Sequence, residues 1–156
     1  MASIVEFITV NLAVKDLDTA LARFRALGFS SLAAARMPEP PAEITDVTLP
    51  LGRQGAVSLI AATGPDSPVA RFLDKRGEGV YSIALRTDDL AELMREWAAA
   101  GVRWLLPEPY EFPRPSPAGR HLSEKLLANW VRPGSLHGVL VEVFELKGAV
   151  GPAPAG

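Results

Sequence analysis

The sequence predicts an α+β protein built from two copies of one strand–helix unit facing each other across a cleft. Three observations carry that prediction. Residues 9–29 (TVNLAVKDLDTALARFRALGF) and 82–102 (SIALRTDDLAELMREWAAAGV) repeat at a constant offset of 73, which matches Leu12 with Leu85, Asp16 with Asp89, Leu17 with Leu90, Phe24 with Trp97 and Gly28 with Gly101. The closing segments AVSLIAA and VLVEVFE also correspond, with Ser58 opposite Glu142 at an offset of 84. Polar residues stand at equivalent alternating positions in both halves. Self-similarity of this length is a fold-level signal, and related halves meet about a pseudo-twofold axis, where a site is expected.

In chain order, Ile8–Val14 alternates and is rich in β-branched residues, so it reads as a strand. Asp16 or Asp18 caps the helix that follows, with Leu17, Ala20, Leu21, Phe24 and Leu27 as its apolar stripe and Gly28 as its stop. Residues 29–36 read as a second strand, ahead of the loop MPEPPAE. Asp46–Leu51 and Ala56–Ala62 read as strands joined by a turn at GRQG. Ser67 caps a short helix with Pro68 in its first turn and Gly77 as its stop. In the second copy, a strand over 81–87 leads to a helix capped by Asp88 or Asp89, with the stripe Leu90, Leu93, Met94, Trp97 and the stop Gly101. A strand over Val102–Leu105 follows. The segment PEPYEFPRPSPAG holds five prolines, which argue against regular structure there. The growth in offset between the copies makes it an insertion, expected to act as a semi-rigid flap over 107–117. The strand LLANWV, a turn near Pro133–Gly138 and the strand VLVEVFE close the unit. One domain over 1–146 is expected, with module one at about 4–78 and module two at about 79–146; residues 147–156 read as a flexible tail.

Composition removes several function classes. The formal net charge is −2 and the 16 basic residues form no cluster, so neither nucleic acid nor an anionic membrane is an expected partner. The chain has no cysteine, which excludes disulfides, thiolate metal sites and a Cys nucleophile and fits a cytoplasmic location. The N-terminus lacks the basic region of a signal peptide. No apolar run approaches the ~18 residues of a membrane span.

Side chains alternate along strands, so each strand has two faces. Val10, Leu12, Val14, Ile83, Leu85, Val57, Leu59, Val141 and Val143 form the face that packs the helix stripes. Thr9, Asn11, Ser58, Ser82, Arg86 and Glu142 form the other, interleaved with Ile60, Leu140 and Phe144. Such a face is either solvated or the lining of a cavity. Small hydrogen-bonding groups at equivalent positions among bulky apolar neighbours favour a cavity. Glu142, between two valines, is then either paired with Arg86 or Ser82, or a general base with its pKa raised by burial. Asn129 is a further candidate for ligand hydrogen bonding. His121 reaches the pocket only if the proline-rich segment folds over it, and His137 reads as structural.

The segments NLAVKDLDTAL, LPLG, TGPDSPVARFLDKRGEGVYSIAL and HGVLVEVFE resemble the vicinal oxygen chelate superfamily, which includes glyoxalase I, bleomycin-resistance proteins and extradiol dioxygenases. The likeness is strongest to its methylmalonyl-CoA epimerase branch, and it covers most of residues 4–146. The resemblance implies paired βαβββ modules curving into a mixed sheet around a shared pocket, and a homodimer. It also implies a divalent metal held by two residues from each module. Here the chain departs from the pattern. The ligand positions fall on Thr9, Ser58, Ser82 and Glu142, and only Glu142 is a metal-capable group. No metal and no cofactor are therefore expected. The resemblance also places a second glutamate near Glu43. The expected function is a metal-independent isomerase or lyase acting on a small carbonyl compound or acyl thioester, with Glu142 and Glu43 as catalytic candidates and Thr9, Asn11, Ser58, Ser82, Arg86, Asn129 and His121 as substrate-binding ones. The alternatives are a protein that sequesters a hydrophobic metabolite or antibiotic and, less favoured, a metal-dependent epimerase.

Overall fold

The computed structural model of the protein describes residues 1–38, 40, 42–53, 55–112 and 125–147. The first copy comprises β1 (Ile4–Ala13), α1 (Leu17–Ala26), β2 (Ala35–Met37), β3 (Ile44–Pro50) and β4 (Ala56–Ala62), followed by α2 (Pro68–Arg76). The second comprises β5 (Gly79–Thr87), α3 (Leu90–Ala99), β6 (Tyr110–Glu111), β7 (Lys125–Val131) and β8 (Val141–Lys147). All eight strands join one mixed sheet in the order β2-β3-β4-β1-β5-β8-β7-β6. β1 and β5 pair antiparallel at its centre, each flanked by a parallel neighbour, β4 or β8. That is the pseudo-twofold arrangement the sequence repeat requires.

The repeated helices start and stop as their sequences dictate. Asp16 accepts a hydrogen bond from the Thr19 N–H at 2.7 Å, and Asp89 accepts one from Glu92 at 2.8 Å. Each carboxylate thus satisfies a free donor at the positive end of a helix. Gly28 and Gly101 follow at φ of 93° and 90°, a conformation that strains any residue with a Cβ. One face of the sheet buries both helices. The α1 stripe packs on Val47, Leu49 and Leu59, while Leu90, Leu93 and Met94 of α3 pack on Val131, Val141 and Val143. Full burial of a side chain such as Leu90 or Leu93 is worth roughly 1.5–3 kcal/mol, which anchors a short helix like α3 that would not persist alone, whereas α1 contributes only half-buried side chains. α2 lies elsewhere. Its Val69 and Leu73 pack on Ala13 and Ile60, closing one end of the opposite, curled face.

Three expectations are corrected. Only Ala35 and Arg36 of the segment 29–36 are strand, at the start of β2, because Phe29 turns back edge-on to Phe24 at 5.2 Å. The segment Val102–Leu105 forms no strand; it touches the sheet through a single bridge between Trp104 and Val131. The proline-rich segment does contain regular structure, since β6 pairs Tyr110 with Ala128 and Glu111 with Leu127. The rest of that flap, 113–117, lies outside the described residues. Among the described residues no helix is long and apolar enough to cross a membrane.

The central pairing is irregular, and this decides where several side chains point. Its register shifts between Ile4 and Glu6, between Phe7 and Thr9, and between Asn11 and Leu12. At the third shift Asn11 pairs with Ser82 and Leu12 with Val80, so Tyr81 is the extra residue on β5. At the second, Ile8 is the extra residue on β1. Each bulge inverts the alternation beyond it.

Candidate active site

The curled face encloses a cavity of about 380 Å³. Register places its polar residues in two cross-strand rows. Thr48, Ser58, Asn11 and Ser82 lie side by side across β3, β4, β1 and β5. In the next row Thr9 and Ala84 pair, and Ala84, Glu142 and Trp130 lie across β5, β8 and β7. Hydrogen bonds connect the rows. The Asn11 amide donates to Ser82 Oγ at 2.8 Å, and Ser82 Oγ donates to Glu142 Oε1 at 3.0 Å. Thr9, Asn11, Ser58, Ser82 and Glu142 are thus brought together as the alternation implied. Thr9 Oγ1 is already spent on the Val10 carbonyl at 3.1 Å.

Glu142 lines the cavity. Burial pushes its pKa up to about 7, the nearby charge of Asp46 adds to the rise, and hydrogen bonds from Ser82, Trp130 and Asn11 oppose it. The expected alternative, a pair with Arg86, does not form. Arg86 Nε donates to Glu6 Oε2 at 2.7 Å. The bulges explain the change of partner. Straight alternation puts Glu6 on the opposite face from Thr9, but the extra residue Ile8 brings it beside Arg86 on the cavity wall.

β3 delivers a second carboxylate, and it is Asp46 rather than Glu43. Ile44, Asp46, Thr48 and Pro50 alternate into the cavity while Val47 and Leu49 pack under α1. Asp46 Oδ1 is buried without a hydrogen-bond partner among the described residues. Its Oδ2 receives a long bond of 3.5 Å from Thr48, whose hydroxyl stands 3.5 Å from Ser58. Burial raises the Asp46 pKa to about 6, against the hydrogen bonds from Ser58 and Thr48. Glu43 precedes the strand at φ 49°, its carbonyl accepting from Thr63 N, and it does not border the cavity. The signal that finds Asp46 is the same alternation that finds Ser58, applied to DVTL.

Asn129 does not reach the cavity. On β7 it faces α3, fully buried, and its amide donates to the Leu106 carbonyl at 2.9 Å while its oxygen accepts from Leu106 N at 3.2 Å. It pins the loop after α3 and has no polar atom left for a ligand. His121 lies outside the described residues. Tyr81, which the sequence reading did not single out, borders the cavity because its bulge turns it there. Phe112, next to β6, also borders it, stacked on Phe144 at 6.3 Å, so the described part of the flap does meet the cavity.

The four positions at which the resemblance implies metal ligands offer three hydroxyls and one carboxylate. Ser82 and Thr9 already use their hydroxyls as donors to protein oxygens. Transition metals take imidazole, thiolate and carboxylate together, so this donor set does not fit one. Among the described residues no group of three or more His, Cys, Asp or Glu is placed to hold a metal ion.

Comparison with known proteins sets these observations in a family. The model of the glyoxalase/bleomycin resistance protein/dioxygenase superfamily matches residues 10–118. The uncharacterized protein YqjC of Bacillus subtilis (strain 168) is 32% identical over 92 residues, which make up 59% of each protein. The matched region thus spans about three-fifths of the length of that curated relative. Two solved structures are similar over nearly the whole chain. Methylmalonyl-CoA epimerase from Mycobacterium tuberculosis has a TM-score of 0.73 at 26% identity, covering 97% of this chain and 90% of its own. A Streptomyces coelicolor methylmalonyl-CoA epimerase variant in complex with 2-nitronate-propionyl-CoA has a TM-score of 0.76 at 26% identity, covering 94% and 100%.

Proposed function

Because the chain belongs to the glyoxalase/bleomycin resistance protein/dioxygenase superfamily, we propose that it is an isomerase- or lyase-type enzyme acting on a small carbonyl compound or acyl thioester, and that it moves a proton through Glu142 without a metal. One observation carries this reading. Glu142 lines the cavity, accepts a hydrogen bond from Ser82 while Arg86 pairs with Glu6, and is pushed by burial to a pKa of about 7. A carboxyl group in that state can take or give a proton at physiological pH.

Asp46 completes the chemistry. With pKa values of about 6 and about 7, Asp46 and Glu142 share a single proton in the interval between them. One carboxylate is then free to remove the proton α to a carbonyl while the other carboxyl returns one. The acyl-CoA ligand of the Streptomyces coelicolor neighbour supports a thioester substrate class. The cavity walls, with Ile8, Met37, Ile44, Ile60 and Phe144, suit the apolar part of such a molecule. The same walls favour the second reading, a protein that holds a hydrophobic metabolite without changing it.

The test is α-hydrogen exchange in D₂O, followed by proton NMR with methylmalonyl-CoA and propionyl-CoA. Wild type should wash deuterium into the α-position, and Glu142→Gln should slow the washing by about 10² or more, the usual worth of a general acid or base. Binding without exchange would leave the sequestration reading in its place.

A further inference from the structure

We propose that Tyr81 is a catalytic residue that donates a hydrogen bond to the substrate oxygen on which negative charge develops. The proposal rests on the reading above, in which a carboxylate removes a proton α to a carbonyl. In that step the C–H electron pair becomes a carbon–carbon double bond, and the carbonyl π pair moves onto oxygen. The Tyr81 O–H holds that oxygen without giving up its proton, and reprotonation at carbon returns both pairs. Such an oxyanion is stabilised by a Lewis acid or by hydrogen-bond donors, and the donor set at the four ligand positions does not fit a metal ion.

Geometry singles out Tyr81 for this role. On a regular strand it would point with Ile83 and Leu85 toward α3. As the extra residue opposite Asn11 and Leu12, it turns instead into the cavity. Bulges next to active sites re-aim side chains in this way. The ring is fixed edge-on against Phe72, with centroids 5.1 Å apart and an interplanar angle of 88°, beside Ala13, Ile60, Val69 and Leu73. The ring belongs to this apolar cluster while the residue borders the cavity, and no hydrogen bond engages its hydroxyl among the described residues. The hydroxyl is not among the buried polar atoms left without a partner, so it opens onto the cavity, where a ligand can reach it. Of the other hydroxyls of the cavity floor, Thr9 is engaged with the Val10 carbonyl and Ser82 with Glu142, while Thr48 stands 3.5 Å from both Asp46 and Ser58. Tyr81 also lies close enough to Glu142 to feel its charge, which, after burial, helps push the phenol up to about 12 and keeps the proton on oxygen.

Tyr81→Phe tests this, because it keeps the ring and its contact with Phe72 and removes only the hydroxyl. The probes are 2-nitronate-propionyl-CoA, which carries negative charge where an enolate would, and uncharged propionyl-CoA, each titrated into both proteins by calorimetry. Wild type should prefer the nitronate by at least 10-fold, and Tyr81→Phe should lose that preference with propionyl-CoA affinity changed less than about twofold. The rate of α-hydrogen exchange should fall by about 10²-fold with little change in KM, the effect of removing one oxyanion donor. An unaltered preference in the variant, an equal loss for both probes, or no preference in wild type would each overturn the assignment. A preference lost with the hydroxyl but no α-exchange in wild type would leave Tyr81 as an oxyanion donor while removing the proton-transfer reading it was built on.

Discussion

Glu142 gives up its solvation in the fold and gains the Ser82 hydroxyl as partner, while Arg86 pairs with Glu6. The cost has a pH signature. Its folded pKa of about 7 exceeds the ordinary 4.5, so its contribution to stability is complete below pH 4.5 and is lost as pH rises through 7. Asp46, raised from 3.8 to about 6, behaves in the same sense. Glu142→Gln should therefore gain on wild type across pH 4.5–7, by an amount on the order of 2–3 kcal/mol, read from urea melts at the two ends. A difference between the two proteins that is independent of pH would mean that the carboxylate keeps its solvation. Activity belongs to the same two groups. It should follow a bell centred between pH 6 and 7, the interval in which the pair holds one proton. At this scale the sequence was informative wherever alternation was unbroken, as at Asn11, Ser58, Ser82 and Glu142. It was silent at Glu6 and Tyr81, because a bulge is a one-residue event with no composition of its own.

The elements with polar caps and glycine stops were legible almost to the residue. Asp16, Ser67 and Asp89 each accept a backbone N–H at the start of a helix, and each was readable beforehand as a cap. Ser67 is fully buried, so Ser67→Ala should cost about 1–2 kcal/mol by freeing the Val69 N–H inside the protein, measurable as a lowered Tm. Because α2 closes the end of the cavity at Ile60 and Tyr81, the same change should also weaken binding of propionyl-CoA, whereas Asp16→Ala, on the other face, should cost stability alone. The strands at the sheet margins were less legible. β2 is three residues long and β6 two, and each is held by a neighbouring strand rather than by its own sequence. Residues 102–105 carry a strand-like pattern, yet Asn129 claims the backbone of Leu106 and turns the chain away.

At the scale of the molecule, the repeat specified the architecture, since each copy presents one edge strand, β1 or β5, and the two join to complete the sheet. The cavity is built from both copies: Asp46 and Ser58 come from the first, Ser82 and Glu142 from the second. We therefore expect the modules to fold as one unit. A fragment ending near Gly79 should show no cooperative melt, because a half of about 75 residues with an open sheet edge buries too little apolar surface. What the repeat could not convey is how the sheet curls, which brings β3 and β8 into electrostatic contact although three strands separate them. The account stands most openly on one measurement, α-hydrogen exchange by the chelator-stripped wild-type protein before and after addition of Co²⁺. It predicts full exchange in the stripped protein and no stimulation by the metal. Exchange that vanishes on stripping and returns with one equivalent of Co²⁺ would contradict it.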